Sequence, residues 1–503
     1  MQTEFQDLTM VFEGEAGQGI QTAAAVLLPM LRKSGCHVNS YTEYMSRIRG
    51  GSNTTGIRVA GKPRSAYVSR IDVLFAMSSM AASRLEGRLH AGTLIFAETG
   101  LEPGFTVGRV VDMPIRRLAA EAGGALYASS AVAGAASALL GISAELVADL
   151  LQELFSAKGA SVVTANRAAA AAGREFIGTV TGLGSISLQA FTGAAEGGYL
   201  LMDGTAALGL GTIMAGCNFI SSYPMSPGTG LLTFLAGHVA GFGIVVDQAE
   251  DEIAAINAAL GASYAGARSI VTTSGGGFDL MQEGMSLAGM IETPVVIHVG
   301  QRPGPATGLP TRTGQEDLSL VIHAGHGEFA RAVFAPGSLA ELIKTVQHAF
   351  SLAQRFQIPV VILTDQYLLD AAGTIALDAP FVATFVARVW AGDVGQTAAL
   401  IGEAISFRGF ALVDVLQPCV VFNKLNTWQW LGEHIRPVSE EHDPSDRIAS
   451  FGLALQEDPF PLGLLYRNEH RELYEELAGF DPAPLFTCRP DTAKLQALIE
   501  TFR

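Results

Sequence analysis

Asp247-Gln248-Ala249-Glu250-Asp251-Glu252 crowds four carboxylates into six residues, and helical spacing separates the last from the others. In a helix starting near Glu250, Glu252 shares a face with Ala255, Ile256, Ala259 and Leu260, which turns it toward an apolar interior. A carboxyl group in an apolar cleft can hydrogen-bond a heterocycle and exchange a proton with it. The same crowding has a structural reading, because acids at a helix start complement the positive end of the dipole. Gln301-Arg302-Pro303-Gly304-Pro305-Ala306-Thr307-Gly308 sets an arginine in a stiff loop after an apolar run. That setting suits bidentate capture of a carboxylate, and it suits a surface salt bridge as well. Tyr223-Pro224-Met225-Ser226-Pro227-Gly228 is held extended by its two prolines, which can aim the Ser226 hydroxyl in a fixed direction; by composition alone it is an ordinary rigid turn. Gly14-x-x-Gly17-x-Gly19 reads as a loop between strand and helix, either a phosphate cradle or a tight turn that needs glycine for its own sake. Its spacing is not that of a dinucleotide loop, and no acidic residue closes a ribose site. Arg47-Ile48-Arg49-Gly50-Gly51 is a basic turn suited to a phosphate, an acidic neighbour or plain water.

The elements that must position these residues follow from apolar periodicity. Leu8–Phe12 reads as a strand and Ile20–Lys33 as a helix. Asp72–Met77 and Thr93–Ala97 read as strands, and Val132–Ala157 and the Ala-rich stretch to Phe176 as helix. Gly178–Gly198 looks like a linker, and a second segment opens near Met202. There Ile244–Val246, Ser269–Thr273, Pro294–Val299 and Pro359–Leu363 are strands. Ser274-Gly275-Gly276-Gly277 is a loop, followed by a helix over Phe278–Ile291. Strand and helix alternate, so the fold class is α/β, with a doubly wound parallel sheet whose ligands belong at the strand C-termini. From about Ala379 the texture changes, with Trp390, Trp428, Trp430 and more charge.

A chain of 503 residues suggests about three domains. With 49% apolar and 16% charged residues it is no disordered protein. A net charge of −16 argues against a nucleic-acid partner. Gly204–Val246 holds no charged residue, yet its glycines, its Tyr-Pro loop and its non-basic flanks favour a buried core over a membrane span. Cys36, Cys217, Cys419 and Cys488 are scattered, with no CxxC. Met1–Asp7 has neither part of a signal peptide, so a reduced cytoplasmic setting is the expectation.

Taken in order, these pieces resemble the 2-oxoacid:ferredoxin oxidoreductase family, and its 2-oxoglutarate branch in particular. Gly14–Thr22 with Glu43–Arg58 looks like the gamma domain, and Tyr223–Gly228 is similar to the family's YPITP loop. Glu250–Gly277 (EDEIAAINAALGASYAGARSIVTTSGGG) looks like the alpha-subunit pyrimidine-binding domain, and Arg302–Leu318 (RPGPATGLPTRTGQEDL) matches the 2-oxoglutarate-type loop. The resemblance runs from about residue 8 to residue 375 and divides the chain into a gamma-type domain (1–185) and an alpha-type pyrimidine-binding domain (199–378). Residues 379–503 form a third segment, in which Gly409–Cys419, Phe422–Trp428 and His442–Tyr466 look like the C-terminal part of the beta subunit.

The resemblance implies an enzyme subunit acting in thiamine-diphosphate-dependent oxidative decarboxylation of a 2-oxoacid, with coenzyme A as acyl acceptor and ferredoxin as electron acceptor. It gives Glu252 the contact to the aminopyrimidine, and puts Tyr223, Pro224, Ser274 and Gly275 around the cofactor. It aligns Arg302 with the arginine that holds the substrate carboxylate. Ser226 stands where the family carries Thr, keeping the hydroxyl and losing the methyl. The beta subunit's WCxGCG-like opening and its GDG…N motif for Mg2+ and diphosphate are absent from this sequence. Cys419 would match the last ligand of a 4Fe–4S cluster, but one cysteine cannot hold a cluster that needs four; a buried free thiol is the other reading. The expected assembly is therefore a hetero-oligomer whose beta partner brings Mg2+ and the cluster. The alternative is a catalytically incomplete fusion or deletion product, joined near Leu377–Pro380, that acts at most as a scaffold.

Overall fold

The computed structural model describes residues 7–45, 50–101, 104–183, 199–376, 384–409, 411–418, 425–454, 456 and 458–469. It falls into two units, Met1–Asp378 and Ala379–Arg503.

The first unit begins with strands β1 (Asp7–Ala16), β2 (His37–Glu43), β3 (Gly50–Ala60), β4 (Val73–Ala76), β5 (Leu94–Glu98) and β6 (Arg109–Met113). After β7 (Tyr199–Asp203) come β8 (Phe219–Ser222), β9 (Val245–Gln248), β10 (Ser269–Thr273), β11 (Val295–Gln301), β12 (Ala332–Phe334), β13 (Pro359–Asp365) and β14 (Ala372–Ala376). Two sheets result, ordered β6-β5-β4-β1-β3-β2-β14-β7 and β12-β13-β11-β10-β8-β9. The first is mixed: β1 pairs antiparallel with β3 and parallel with β4. β14 returns from the far end of the unit to pair antiparallel with both β2 and β7. The second sheet is parallel throughout.

Backbone contact, not bulk, sets the helix layer over the first sheet. Helices Ala128–Leu139 and Ala160–Thr179 cross where each presents a glycine. A Cβ on Gly134 would stand 2.1 Å from the Ala170 carbonyl oxygen, and one on Gly173 would stand 1.9 Å from that of Ala131. In the second sheet, β10, β11 and β13 are buried along their whole length, as expected of strands covered on both faces. The 18-residue helix Leu339–Phe356 lays Leu342, Ile343, Val346 and Phe350 against that sheet. Ser338 caps its start by accepting from Glu341 N at 3.3 Å, while Glu341 Oε2 accepts from Gly337 N at 2.8 Å. A cap of this kind contributes about 1 kcal/mol.

The second unit is a four-stranded sheet of β15 (Phe385–Trp390), β16 (Ala411–Leu416), β17 (Ile435–Pro437) and β18 (Phe460–Arg467), ordered β16-β15-β18-β17. Period-two burial along β15 places Phe385, Ala387 and Val389 in a small core with Leu400.

The structure corrects several expected boundaries. Gly14 lies inside β1, paired with Asn53, so the loop is only Gly17–Gly19. Helix Val132–Ala157 is broken at Gly141, whose φ of +69° and whose Ile142 N to Ser137 O bond of 2.9 Å close a left-handed helix end. Ser274–Gly277 is not all loop, since a helix starts at Gly275 and ends at Leu280. Met281 then joins it to a second helix, Gln282–Met290. Arg47, Arg49, Cys419, Cys488 and the junction Leu377–Pro380 lie outside the described residues, as do 184–198 of the expected linker. Cys36 and Cys217 are buried free thiols, pushed up to about 11 and about 12 by burial. Among the described residues no helix is long and apolar enough to cross a membrane.

Candidate active site

Because β8, β9, β10 and β11 run parallel, their C-termini share one edge, and the loops beyond it carry all the residues singled out in this half. Tyr223–Gly228 follows β8, Glu252 follows β9, Ser274–Gly277 follows β10 and Arg302 follows β11.

Glu252 opens the helix Glu252–Tyr264, which Asp251 caps by accepting from Ala254 N at 2.7 Å. Capping keeps Asp251 at the surface and rolls its neighbour inward: Glu250 and Asp251 are exposed, whereas Glu252 is 3% exposed. Its Oε1 is buried without a hydrogen-bond partner. A carboxyl oxygen left that way costs about 1–3 kcal/mol or more, so its retention points to a ligand. The neighbouring glycines let side chains close in on this edge. A Cβ on Gly277 would stand 2.7 Å from Glu252 Oε1 and 2.1 Å from Thr273 Oγ1. One on Gly275 would stand 2.2 Å from Asp317 Oδ2, which is likewise buried and unpartnered. Burial, reinforced by Glu316, holds the Asp317 carboxyl above the usual range. Asp317 was not singled out in the sequence: only folding brings it to Gly275, and its one local signal is the acid pair Glu316-Asp317.

The opposite wall is the Tyr223–Gly228 loop. Arg302, 8% exposed, donates from Nη1 to the Ser226 carbonyl oxygen at 2.7 Å, so these two residues meet through the backbone. The Ser226 residue itself is exposed, and Tyr223 is 38% exposed. Ser274 Oγ donates to Met225 Sδ at 2.6 Å. Among the described residues, no hydrogen bond or ion pair joins Glu252 to Ser226 or Arg302. Thr273 borders both loops: a Cβ on Gly228 would stand 2.8 Å from its carbonyl oxygen, and one on Gly277 would stand 2.1 Å from its Oγ1.

A buried histidine holds this loop to the sheet. His298 on β11 bonds Thr272 Oγ1 through Nδ1 at 2.7 Å and Thr364 Oγ1 through Nε2 at 2.8 Å. Thr272 Oγ1 donates onward to the Gly228 carbonyl at 3.1 Å, so Nδ1 is the donor and Nε2 accepts from Thr364. Burial pulls His298 from 6.5 down to about 3. The folded chain therefore keeps it neutral while the unfolded chain takes up a proton below about 6.5. The stability is complete above that pH and drains away as pH falls toward 3, at about 1.4 kcal/mol per unit. Urea titrations at pH 7.5 and 5.5 should show this loss, and His298→Gln should remove it; an identical pH dependence in the variant would contradict the assignment.

In the first half, Gly17 and Gly19 turn at φ +93° and +77°, and Gly19 precedes the helix Ile20–Lys33. Beneath them Glu13 is fully buried, accepting from Ser52 Oγ at 2.6 Å and Ser78 Oγ at 2.5 Å. Burial raises its carboxyl, against those bonds and Arg84.

A parallel doubly wound sheet with an unpartnered carboxyl and close-packed glycines at its C-terminal edge defines a cofactor-binding α/β protein. Residues 210–386 match the family model for pyruvate flavodoxin/ferredoxin oxidoreductase, thiamine-diphosphate-binding. Residues 9–176 match that for pyruvate ferredoxin/flavodoxin oxidoreductase, and 419–480 that for the C-terminal part of the pyruvate ferredoxin oxidoreductase beta subunit. The chain belongs to the 2-oxoacid:ferredoxin oxidoreductase family. The alpha subunit of 2-oxoacid:ferredoxin oxidoreductase 1 from Sulfurisphaera tokodaii is 45% identical over 186 residues, 35% of this chain and 30% of that protein. The 2-oxoglutarate synthase subunit KorA from Archaeoglobus fulgidus is 42% identical over 177 residues, 35% of this chain and 51% of that protein. The match to these curated relatives thus spans about a third to a half of their length. The structure of 2-oxoglutarate:ferredoxin oxidoreductase from Magnetococcus marinus, with 2-oxoglutarate, coenzyme A and succinyl-CoA bound, superposes with a TM-score of 0.69 at 30% identity, covering 74% of this chain and 66% of that one.

Proposed function

We propose that this chain supplies one half of the active site of a 2-oxoacid:ferredoxin oxidoreductase acting on 2-oxoglutarate. A beta subunit supplies the other half, together with Mg2+ and a 4Fe–4S cluster, and the product is an acyl-CoA with electrons passed to ferredoxin. In this reading residues 1–185 are the gamma-type domain, 199–378 the pyrimidine-binding domain and 379–503 a beta-like segment. The observation that carries it is the buried, unpartnered Glu252 Oε1 beside Gly277.

Thiamine diphosphate fits these residues, because a ring nitrogen is the kind of partner that Glu252 Oε1 lacks. When bound, that cofactor supplies the electron sink for decarboxylation. Glu252 holds the proton it shares with the pyrimidine ring in a place water does not reach, so the proton stays with the pair. Gly275 and Gly277 let the carboxyls of Asp317 and Glu252 close onto this edge, and in this reading Tyr223 and Pro224 border the cofactor. Arg302 has one N–H committed to Ser226, which leaves the rest of its fork for a carboxylate. Arg302→Ala should raise the KM for 2-oxoglutarate about ten- to a hundredfold, the scale of a charged hydrogen bond. Lysine should not restore it fully, and an unchanged KM excludes the clamp.

The test is purification from the native source. A brown complex with a second subunit, reducing ferredoxin only with 2-oxoglutarate and coenzyme A together, supports the reading. One observation favours a second reading, a catalytically incomplete scaffold: the beta-type match at 419–480 comes without the beta subunit's WCxGCG-like opening or GDG…N motif. A colourless chain that recruits no subunit supports that one.

A further inference from the structure

A cavity of about 520 Å3 lies in the first unit at the far end of the strand order from Glu252. Residues following β12 and β13 form one side of it, and residues of β2 and β14 the other. One lining residue, Gln315, comes from the loop that follows Arg302, but the mechanism proposed above uses none of the lining residues.

Its lining leaves one donor without an acceptor and one acceptor without a donor. Arg64 lines it, and the Arg64 Nε is buried without an acceptor. Asn39, 4% exposed, lines it with Oδ1 unpartnered. Ser338, Leu339 and Ala340 bring in the start of the helix Leu339–Phe356. Ser338 spends its hydroxyl on Glu341 N, so the N–H groups of Leu339 and Ala340 have no partner within the helix. Lys344 of the same helix adds a second cation to the wall. One carboxylate, Asp365, also lines the cavity, and it and Glu341 accept hydrogen bonds from neighbouring groups. Asp365 accepts from Leu368 N at 2.7 Å and from Gln315 Nε2 at 2.5 Å, and Glu341 is turned back onto Gly337 N.

A buried guanidinium N–H facing no acceptor is unfavourable by more than an ordinary hydrogen bond. A helix start, a guanidinium and an ammonium around one space make a phosphate-shaped demand. The volume is that of a small-molecule pocket and exceeds a lone phosphate. We infer that this cavity binds a phosphate group, either as a free inorganic anion or as the charged end of a nucleotide-like ligand. Arg64 and the helix start take the phosphate oxygens. The Asn39 amide, which can offer oxygen or NH2, takes a polar group beside them.

Calorimetric titration of the full chain with pyrophosphate, ADP and adenosine, in chloride buffer, tests this. Saturable one-to-one binding of pyrophosphate or ADP is expected, weakened at least tenfold by Arg64→Ala and severalfold by Lys344→Ala. ADP binding more tightly than pyrophosphate identifies a nucleotide-like ligand, and the reverse order a free anion. No saturable binding at millimolar concentrations, adenosine binding as well as ADP, or an unaffected Arg64→Ala overturns the proposal. Should Arg64→Ala fail to fold, the exposed Lys344 decides, and unchanged binding in Lys344→Ala overturns it.

Discussion

Glu252→Gln is expected to lower turnover of the assembled enzyme by about two to four orders of magnitude, the range of general acid–base catalysis. The substitution preserves shape, and Glu252 Oε1 makes no hydrogen bond that the exchange would break. Thermal stability should therefore hold or rise slightly, since an amide is cheaper to bury than a carboxylate. The combination is diagnostic: a large loss in kcat with an intact fold and little change in the KM for 2-oxoglutarate marks a group that acts on the cofactor and not on the substrate. Near-normal turnover would end the assignment. An equal loss in Asp317→Asn would move the focus to the second unpartnered carboxyl at Gly275.

The largest effect on stability is expected at Gly173. An alanine methyl there would sit 1.9 Å from the Ala131 carbonyl oxygen and 3.1 Å from Ala135 N, both backbone atoms that cannot swing aside. The two helices must separate, opening the core around Ala131, Ala135 and Ala169, at a cost of about 3 kcal/mol or more. Gly178, on the same helix, is the internal control: nothing lies within 4 Å of its Cβ position, so alanine should be neutral or stabilise by up to about 1 kcal/mol. Urea midpoints of the two variants decide it. Similar midpoints would mean that the close crossing carries no weight.

Much of the edge that holds Glu252 was legible beforehand because it rests on local rules. The spacing from Glu252 to Leu260 turned that carboxyl inward, and it is indeed buried where Glu250 is exposed. Ser269–Thr273 matches β10 residue for residue, and Ile20–Lys33 is a helix as read. What stayed hidden depends on contacts far apart in the chain. β2 and β3 carry polar faces with Asn39, Ser40, Asn53 and Thr54 buried inside the unit, so their apolar alternation is weak. Gly275 reads as a loop because glycine disfavours helices. In place, the Asp317 carboxyl occupies the space of its missing side chain, and helical backbone follows. Asp317 and the Arg64 cavity arise from the same kind of distant pairing.

The return of β14 to lie between β2 and β7 bears on how such chains recombine. A crossover between residues 183 and 199 would deliver a first half whose β2 backbone has lost its neighbour, with bare N–H and C=O groups ready to stick to another molecule. Past β14, among the described residues, no sheet carries strands from both sides of the division at Asp378 and Ala379. A tail exchanged at that boundary breaks no described strand pairing in what precedes it.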